Sequence, residues 1–553
     1  MIPWLLPMLL ACAGGKAGGD GGSVHDTGES PDTGDPVDAD GDGHLPAPWG
    51  EDCDDADLTI HPDAVERCGD GVDQDCDGQE LGCTGAMSAD VAGSWLKGDE
   101  YTRAVGRSLE VVPDWSALGP LIVVGAPWST DDLDNEHKGA VYFVHPDAMS
   151  YGQGIDRHAE FVITETDAEM NLGWDLAVLD IDQDGFSDLL VGSPNTGYHP
   201  ERRGEAWVLY GPRAEGGTID EVGDVQLTGS VPTMGLASGV HLSPDATGDG
   251  KPDLALLYPS GCRADGHGGG FIVSSDRLYN RELDAKDVVF QGESPCLTIY
   301  TGLVLADFNG DGIEDVAVGA QSGGSTVDPV THTSDGLGPG YAYIVLGPLV
   351  ASRSLADADG RISGNSSQDT LSRTLEVGSD FDGDGLPELI IGAPAEEQSA
   401  ESAGAAYVVP GDDVARYAPV AEVASVSVFG GRTEGLKLGS GAIDGGDLDG
   451  DGKRELIVVA EALDWASKVH KGRGEAYVFR GPQEGTLTTD DAILTVFGPY
   501  PEDYFGGISG YGGSLFGDVD LNADGYDDWL AGAALANEDY AGAVYSFYGG
   551  VWD

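Results

Sequence analysis

The chain has 553 residues, of which 97 are acidic and 27 basic, so its formal net charge is -70. This charge would repel nucleic acids and anionic lipids unless cations neutralised it, and we therefore exclude a nucleic-acid-binding function. The hydrophobic content of 40% is too high for a disordered acidic chain, and 87 glycines indicate many tight turns. The composition predicts a folded, turn-rich β protein, large enough for several domains or an array of repeats.

The first residues resemble the signal peptide and lipobox of bacterial lipoproteins. An apolar run from Ile2 to Leu10 leads to Cys12 and is too short to span a bilayer. It departs from the family pattern because no Lys or Arg precedes it and Leu10 stands where a smaller residue is more common. The resemblance implies that residues 1–12 contain the signal and that Cys12 is lipidated. We expect an exported protein at the bacterial outer membrane or cell surface, held by a lipid anchor at most, with plain secretion as the alternative.

Two short segments precede the main part of the chain. Residues 13–36 are rich in Gly, Ser, Asp, Thr and Pro, which predicts a flexible linker. Residues 37–84 are rich in Asp and Cys and too few for a hydrophobic core, so metals and disulfides must hold them together. This segment resembles the short cysteine- and aspartate-rich metal-binding motif of exported bacterial proteins. A transition metal such as copper, bound through His44 or His61, is the alternative to calcium here. The predicted calcium ligands of the segment are Asp38, Asp40, Asp42, Asp73, Asp75 and Asp77.

The chain has seven cysteines, and six remain if Cys12 is lipidated. An even number in an exported chain predicts disulfides. Four lie in the N-terminal segment, where three disulfide connectivities are possible, and the last two would pair with each other. The disulfide candidates are Cys53, Cys68, Cys76, Cys83, Cys262 and Cys296.

One unit then repeats through residues 87–553. Each copy has an apolar strand, an Asp-rich loop, a second apolar strand that often ends in Gly-Ala-Pro, a variable loop and a third strand that begins with Gly and contains an aromatic residue. Six copies carry the Asp-rich loop, and an earlier copy around residues 121–127 lacks it but keeps the frame. Runs rich in Val, Ile, Tyr and Phe between Gly and Pro are typical of β-strands, and no segment shows a sustained helical period.

Seven such sheets packed radially would bury the faces and edges that one unit leaves exposed. The sequence therefore predicts an all-β fold, a seven-bladed β-propeller, with a linear β-solenoid as the structural alternative. Residues 89–95 resemble the fourth strands of later units, such as residues 225–229, yet they precede the first unit. Because the last unit stops at Asp553 without a fourth strand, we expect the N-terminal strand to complete the seventh blade.

These units resemble FG-GAP repeats, the propeller family that includes the head of integrin α subunits. The resemblance covers residues 87–553. The FG element corresponds to Leu172-Gly173, Leu438-Gly439 and Tyr511-Gly512, and the GAP element to Gly125-Ala-Pro127, Gly192-Ser-Pro194 and Gly392-Ala-Pro394. Integrin heads typically carry fewer Asp-rich loops, so we expect this chain to depend on calcium more heavily.

The Asp-rich loops are nonapeptides with oxygen-bearing side chains at positions 1, 3, 5 and 9 and Gly at position 6. This spacing turns several oxygens toward one point, and the absence of His and Cys favours calcium over zinc or copper. A plain turn is the alternative for a single copy, but six copies in phase predict a calcium-stabilised array. The loops are not EF-hands, because an EF-hand loop has its last ligand at position 12 and is flanked by helices. The predicted ligands are Asp180, Asp182, Asp184 and Asp188; Asp245, Thr247, Asp249 and Asp253; Asp307, Asn309, Asp311 and Asp315; Asp380, Asp382, Asp384 and Glu388; Asp447, Asp449, Asp451 and Glu455; and Asp520, Asn522, Asp524 and Asp528.

The sequence contains no nucleophile elbow, zinc-binding His-Glu-x-x-His motif or phosphate-binding loop, so we expect no catalytic activity. We expect an adhesion or ligand-binding propeller that recognises a protein or glycan through its variable loops, where Trp128, Tyr198 and Tyr504 lie. A structural envelope protein stabilised by calcium is the alternative. A hydrolase whose acid and base come from variable loops, such as residues 131–136 or 396–401, is a further alternative.

Overall fold

A computed structural model describes residues 38–39, 44–46, 49–50, 52–56, 60–62, 73–74, 76, 78, 85–99, 101–116, 119–130, 137–149, 152–195, 203–230, 234–259, 268–284, 287–293, 299, 302–321, 338–431, 433–461, 472–481, 484–500, 502–507, 515–536 and 540–550. The chain divides into two compact units, Met1–Pro62 and Asp63–Asp553. None of the helices in the described ranges is both long and apolar enough to cross a membrane.

The second unit is a β-propeller, and the described residues of this unit form seven sheets of five strands each. In every sheet the first four strands run antiparallel to their neighbours, whereas the fifth pairs in parallel with the fourth. The first strands of adjacent sheets contact one another around a closed ring, so each sheet is one blade. This confirms the predicted seven-bladed propeller.

The blades are numbered in chain order, and their strands are given from first to fifth. Blade 1 contains Ser108–Ser116, Gly119–Ala126, Ala140–Val144, Ala159–Thr164 and Gly217–Thr218, and blade 2 contains Leu176–Leu179, Asp188–Ser193, Glu205–Leu209, Val225–Thr228 and Arg281–Glu282. Blade 3 contains Val240–Ser243, Asp253–Tyr258, Gly269–Ser274, Val288–Gln291 and Arg353–Ser354, and blade 4 contains Leu303–Ala306, Asp315–Ala320, Tyr341–Val345, Gly360–Ser363 and Tyr417–Pro419. Blade 5 contains Leu375–Gly378, Glu388–Ala393, Ala405–Val409, Val426–Phe429 and Gly485–Thr488. Blade 6 contains Leu438–Gly446, Glu455–Ala460, Glu475–Phe479, Leu494–Phe497 and Gly85–Ser88, and blade 7 contains Leu515–Val519, Asp528–Ala533, Ala543–Phe547, Ser94–Lys97 and Gln153–Gly154.

Short helices precede the fourth strands. The α-helices of the described chain are Ala89–Ala92, Ile155–His158 and Ile219–Val222, and the 3-10 helices are Pro146–Ala148, Ser275–Arg277, Leu355–Asp357, Gly411–Asp413, Val420–Glu422 and Thr489–Asp491.

The fifth strand of each blade comes from the segment that precedes the fourth strand of the next blade. For example, Gly217–Thr218, which precedes the fourth strand of blade 2, pairs with the fourth strand of blade 1 at its edge. The same rule closes the ring twice at the N-terminus, because Gly85–Ser88 pairs with blade 6 and Ser94–Lys97 pairs with the third strand of blade 7. The predicted closure by an N-terminal strand is therefore confirmed. Its strand begins later than predicted, since Ala89–Ala92 forms the helical turn that other blades also place before their fourth strand.

The hydrophobic core lies between the blades. Seven clusters of buried apolar side chains occur among the described residues, one at each junction of adjacent blades. At the junction of blades 7 and 1, for example, Leu530 and Val544 share a cluster with Ile122 and Tyr142. The second and third strands read as nearly continuous apolar runs because both of their faces are covered, and each such side chain contributes about 1.5–3 kcal/mol by its burial.

Candidate metal centres

The six Asp-rich loops all connect the first strand of a blade to its second, so they lie at the same end of blades 2 to 7. In each loop the ninth residue is the first residue of the second strand. The second strand is buried, and it therefore carries this carboxylate into the protein interior. The loops of blades 2 to 7 begin at Asp180, Asp245, Asp307, Asp380, Asp447 and Asp520, respectively.

All six loops have the same internal hydrogen bonds. The N–H at position 6 donates to the position 1 carboxylate, as from Gly452 to Asp447 at 3.0 Å. The N–H at position 7 donates to the position 5 carboxylate, as from Lys453 to Asp451 at 2.9 Å. Position 6 has a positive φ in every copy, 82° at Gly452, which explains why only Gly occurs there.

The ninth-position carboxylates are the most deeply buried part of the loops, with at most 1% of each residue exposed. In blades 2, 4 and 7 one oxygen accepts a hydrogen bond of 2.8 Å from a Gly N–H at the end of the third strand. In blades 5 and 6 the residue is Glu, and one oxygen accepts from the N–H at position 2, from Phe381 at 2.9 Å and from Leu448 at 2.8 Å. The other oxygen, Oε1 of Glu388 or Glu455, is buried and has no hydrogen-bond donor among the described residues.

Three more loop oxygens are also buried without a donor in the described part of the chain, namely Asp245 Oδ1, Asp315 Oδ2 and Asp447 Oδ1. Burying such an atom costs about 1–3 kcal/mol if nothing satisfies it. Such oxygens occur at five positions in four loops, and a cation would satisfy them without any proton, so these loops could hold metal ions.

Burial raises the pKa of every ninth-position carboxyl group, and neighbouring loop carboxylates raise it further. The pKa is raised to about 6 for Asp188, Asp253 and Asp315, to about 7 for Glu388 and Asp528, and to about 8 for Glu455. A bound cation would oppose both causes, since it favours the ionised form.

Three loops bring carboxylate oxygens from positions 1, 3 and 9 within 4.8 Å of one another. These clusters are Asp180, Asp182 and Asp188; Asp380, Asp382 and Glu388; and Asp447, Asp449 and Glu455. Each can hold a metal ion. The remaining loops have neutral oxygen donors at position 3, Thr247, Asn309 and Asn522. The position 5 aspartates are not part of the three clusters.

One residue near these sites was not found from the sequence. Arg480 donates to Asp449 Oδ2 in blade 6 at 2.9 Å. It lies just after the third strand, 31 residues from its partner. No local pattern could reveal the pair, because strand pairing alone brings the two residues together.

In the N-terminal part the structure describes only some of the predicted site residues. Gly78 N–H donates to Asp73 Oδ2 at 2.9 Å. The rings of His44 and His61 stack with centroids 4.7 Å apart. Cys53 and Cys76 are both disulfide-bonded, which confirms part of the cysteine prediction. Several residues for which the sequence made predictions lie outside the described residues, namely Cys12, Asp40, Asp42, Cys68, Asp75, Asp77, Cys83, Tyr198, Cys262, Cys296, Tyr511-Gly512 and residues 131–136.

Comparison with known families bears on both parts of the chain. Residues 172–209, 300–345 and 373–409, which lie in blades 2, 4 and 5, match the FG-GAP repeat family. The propeller contains FG-GAP repeats. Residues 52–80 match the family Cu-binding_MopE, described as a "Putative metal-binding motif".

Curated relatives of the FG-GAP propeller include integrin α subunits and an enzyme. Bovine phosphatidylinositol-glycan-specific phospholipase D is 24% identical over 77% of this chain and 52% of its own length. Human integrin alpha-IIb is 32% identical over 29% of this chain and 14% of its own length. Integrin alpha-PS2 of Drosophila melanogaster is 26% identical over 54% of this chain and 19% of its own length. The chain thus spans about half, or less, of the length of these relatives.

Proposed function

We propose that this protein is an exported FG-GAP propeller that binds calcium in its six loops and recognises a protein or glycan ligand at the cell surface. The observation that carries the calcium part is the pair of buried Oε1 atoms of Glu388 and Glu455, which have no donor among the described residues. Each belongs to a cluster of three carboxylates that can hold a metal ion. A cation in these clusters would offset the cost of burying the charge.

The donor set favours calcium over other cations. Carboxylate, amide and hydroxyl oxygens at positions 1, 3, 5 and 9 are hard ligands, whereas zinc and copper prefer His or Cys. Calcium accepts six to eight oxygens in irregular geometry, while magnesium requires a near-ideal octahedron. A loop whose ligands come from both strands and turn backbone suits the less demanding ion.

Calcium binding is tested by calorimetric titration of the full chain after removal of metal. We expect calcium to bind and each of Glu388→Gln and Glu455→Gln to lose about one equivalent. Glu434→Gln, at an exposed glutamate outside the loops, is the matched control and should bind as the wild type does. If the wild type and all three variants bind the same number of calcium equivalents, the assignment of these two sites is refuted.

The ligand-binding part of the proposal concerns the opposite end of the blades. Connections between second and third strands, and between fourth strands and the next blade, meet there. Tyr101 lies between blades 7 and 1, Tyr500 between blades 6 and 7, and Tyr540 between the second and third strands of blade 7. Their exposed fractions are 37%, 57% and 59%, respectively. Trp128, in the same region of blade 1, stacks on His137 at 5.6 Å between ring centroids. Exposed aromatic rings are the side chains that contact proteins and sugars most effectively.

This part is tested by screening the full chain against glycans and envelope proteins in calcium and in chelator. We expect a calcium-dependent ligand whose binding falls at least tenfold in a Tyr500→Ser, Tyr540→Ser double variant. Tyr279→Ser is the matched control, since Tyr279 is 58% exposed but precedes a fourth strand at the loop end of blade 3. If no ligand is retained, the structural alternative, a calcium-stabilised component of the cell envelope, replaces the binding proposal.

Export and anchoring are proposed from the N-terminal sequence and fit the disulfide-bonded Cys53 and Cys76, since disulfides persist in oxidising compartments. Mass spectrometry of the mature protein tests them. We expect acylated Cys12 as the first residue, whereas an unmodified N-terminus further along the chain would favour plain secretion.

A hydrolase is the second candidate, and the relative named as a phospholipase D is the observation that favours it. The shared region covers 52% of that protein, so its activity does not transfer to this chain without a test. Incubation of the full chain with a glycosylphosphatidylinositol-anchored substrate is the direct assay. We expect no release of the anchor, and turnover that rises with protein concentration would overturn that expectation.

A further inference from the structure

The loops of blades 6 and 7 are joined by a reciprocal pair of hydrogen bonds. Asp447, the first residue of the blade 6 loop, donates its N–H to the Asp527 carboxylate at 2.7 Å. Asp527, the eighth residue of the blade 7 loop, donates its N–H to the Asp447 carbonyl oxygen at 3.2 Å. The backbone that holds one proposed calcium ligand is therefore bonded to the residue that precedes another, Asp528. We call this contact the clasp.

The loops of blades 3 and 4 have the side-chain half of this clasp. Glu314 is the eighth residue of the blade 4 loop, and its carboxylate accepts the N–H of Asp245, the first residue of the blade 3 loop, at 2.8 Å. The same Glu314 oxygen accepts the hydroxyl of Ser243 at 3.2 Å. Two pairs of adjacent loops thus use a carboxylate at position 8 for the same purpose.

A second connection runs between the ninth-position carboxylates of blades 6 and 7. Gly549 N–H donates to Asp528 Oδ1 at 2.8 Å, and the next N–H, that of Gly550, donates to the Leu448 carbonyl oxygen at 2.8 Å. Leu448 N–H in turn donates to Glu455 Oε2 at 2.8 Å. Backbone N–H and carbonyl groups therefore link the ninth-position carboxylates of the two loops, Asp528 and Glu455.

Blades 3 and 4 repeat this connection. Gly347 N–H donates to Asp315 Oδ1 at 2.8 Å, and Leu349 N–H donates to the Ala246 carbonyl oxygen at 2.9 Å. Thr247, the next residue, donates its N–H to Asp253 Oδ2 at 2.7 Å.

The other loops lack the carboxylate that a clasp requires. Position 8 is Pro252 in blade 3, Pro387 in blade 5 and Arg454 in blade 6. In blade 2 it is Ser187, whose N–H donates to Asp114 of blade 1, a blade without a calcium loop. A position 8 carboxylate thus joins blade 3 to blade 4 and blade 6 to blade 7 among the described loops. Blade 6 is tied to blade 5 only indirectly, since Arg454 Nε donates to Asp444 Oδ2, which also accepts the Ser379 N–H.

We infer that calcium binds these loops in coupled pairs, blade 3 with blade 4 and blade 6 with blade 7, and that the position 8 carboxylates Asp527 and Glu314 carry the coupling. The inference rests on the proposed calcium binding. An ion in one loop fixes the backbone at one end of the clasp, so the partner loop has less freedom left to lose when its own ion binds. Coupling of this kind typically changes affinity by about 5- to 150-fold.

Terbium luminescence tests the inference on the full chain. Terbium replaces calcium, and Tyr526, at position 7 of the blade 7 loop, serves as the sensitiser. A Cβ atom at Gly450 of the blade 6 loop would lie 2.5 Å from the Tyr526 ring, so this ring reports both sites of the pair. The signal of interest is the part that Tyr526→Phe removes and that excess calcium displaces.

Glu455→Gln, which disables the blade 6 site, should raise the terbium concentration at half-saturation of the remaining signal by about 5- to 150-fold. In the Asp527→Ala background, Glu455→Gln should lower the amplitude of the terbium signal without changing its half-saturation point. Asp188→Asn, which disables the blade 2 site, and Ser187→Ala, at position 8 of the same loop, should leave the half-saturation point unchanged.

Two failures are distinguishable. A Tyr526-dependent signal that calcium displaces, with the half-saturation point of Glu455→Gln equal to that of the wild type, overturns the coupling but leaves calcium binding intact. No calcium-displaceable signal in the wild type overturns the proposed calcium binding itself. Because the Glu455→Gln arm does not use Asp527→Ala, the result stands even if the latter variant fails to fold.

Discussion

Blade 1 and blade 6 complete the same end of a blade in two different ways. Blade 6 has a nine-residue acidic loop with a buried Glu455, whereas blade 1 has a tight hairpin in which Ser116 pairs with Gly119. In blade 1 the fully buried ring of Trp115 stacks on Phe143 with centroids 4.9 Å apart. An aromatic side chain thus occupies the end of blade 1, where the other blades place carboxylates.

The two ends also make the same contact with the next blade. The carbonyl oxygen of Trp115 accepts the N–H of Arg213 at 3.1 Å, and that of Leu448 accepts the N–H of Gly550 at 2.8 Å. The junction between blades therefore does not require a cation. An apolar end is stable by its own burial, whereas a carboxylate end is stable only when the charge is compensated. The proposed calcium sites would therefore make the stability of this propeller depend on calcium.

Removal of calcium should have the largest effect on this comparison. One site adds about 2.7 kcal/mol at a calcium concentration 100 times its dissociation constant, and six loops are affected together. We expect chelator to lower the unfolding temperature strongly in calorimetry. Hydrogen exchange should rise in residues 447–455 before it rises in residues 116–119. An unchanged melting curve in excess chelator would contradict the calcium assignment.

Substitution of the aromatic end should have the next largest effect. Trp115→Ala removes a large buried ring and should cost about 3–5 kcal/mol in chemical unfolding. We expect the same loss in calcium and in chelator, since blade 1 has no Asp-rich loop at this end. Trp49→Ala, at a ring that is 61% exposed, is the control and should change stability little. A loss for Trp115→Ala that appears only with calcium present would show that the two ends are not independent.

A smaller effect should come from glutamates that occupy equivalent positions in blades with and without a loop. Glu376 of blade 5 and Glu110 of blade 1 lie on first strands, each one residue after a Leu that pairs with the second strand. Burial, with a contribution from the Asp175 charge, raises the pKa of Glu376 to about 8, and burial raises the pKa of Glu110 well above its usual value.

Because the folded state holds these protons more tightly than the unfolded state, each glutamate lowers stability as pH rises from about 4.3, the usual pKa of Glu, through its folded pKa. Glu376→Gln should therefore unfold at a higher temperature than the wild type at pH 9 and at nearly the same temperature at pH 4.5. Glu110→Gln should behave in the same way. A gain that is equal at both pH values would show that the variant acts through packing and not through the proton.

Much of the fold could be predicted because the repeat places its information in short local patterns. The alternation of apolar strands with Asp-rich loops gave the blades, and the absence of a fourth strand after the last repeat indicated closure by the N-terminus. The fifth strands could not be predicted, since segments of two residues such as Gly217–Thr218 have no periodicity. The helix at Ala89–Ala92 was missed because four residues are too few to show a helical pattern.

The candidate sites divide in the same way. The nine-residue spacing determined which side chains could meet, and the clusters at Asp180, Asp380 and Asp447 agree with it. The spacing did not show that position 5 lies outside these clusters or that Arg480 pairs with Asp449, because a different strand of the same sheet brings Arg480 there.

The sequence by itself determined the number of blades, the positions of the loops and the chemistry of their oxygen donors, because each of these is written within about 70 residues of one repeat and turns obey local backbone rules. Only the tertiary structure decided how deeply each ninth-position carboxylate is buried, which oxygens lack a donor and which loops are clasped. Those properties arise where one blade packs against the next, and residues such as Asp447 and Asp527, 80 positions apart in the chain, meet only when the ring has closed.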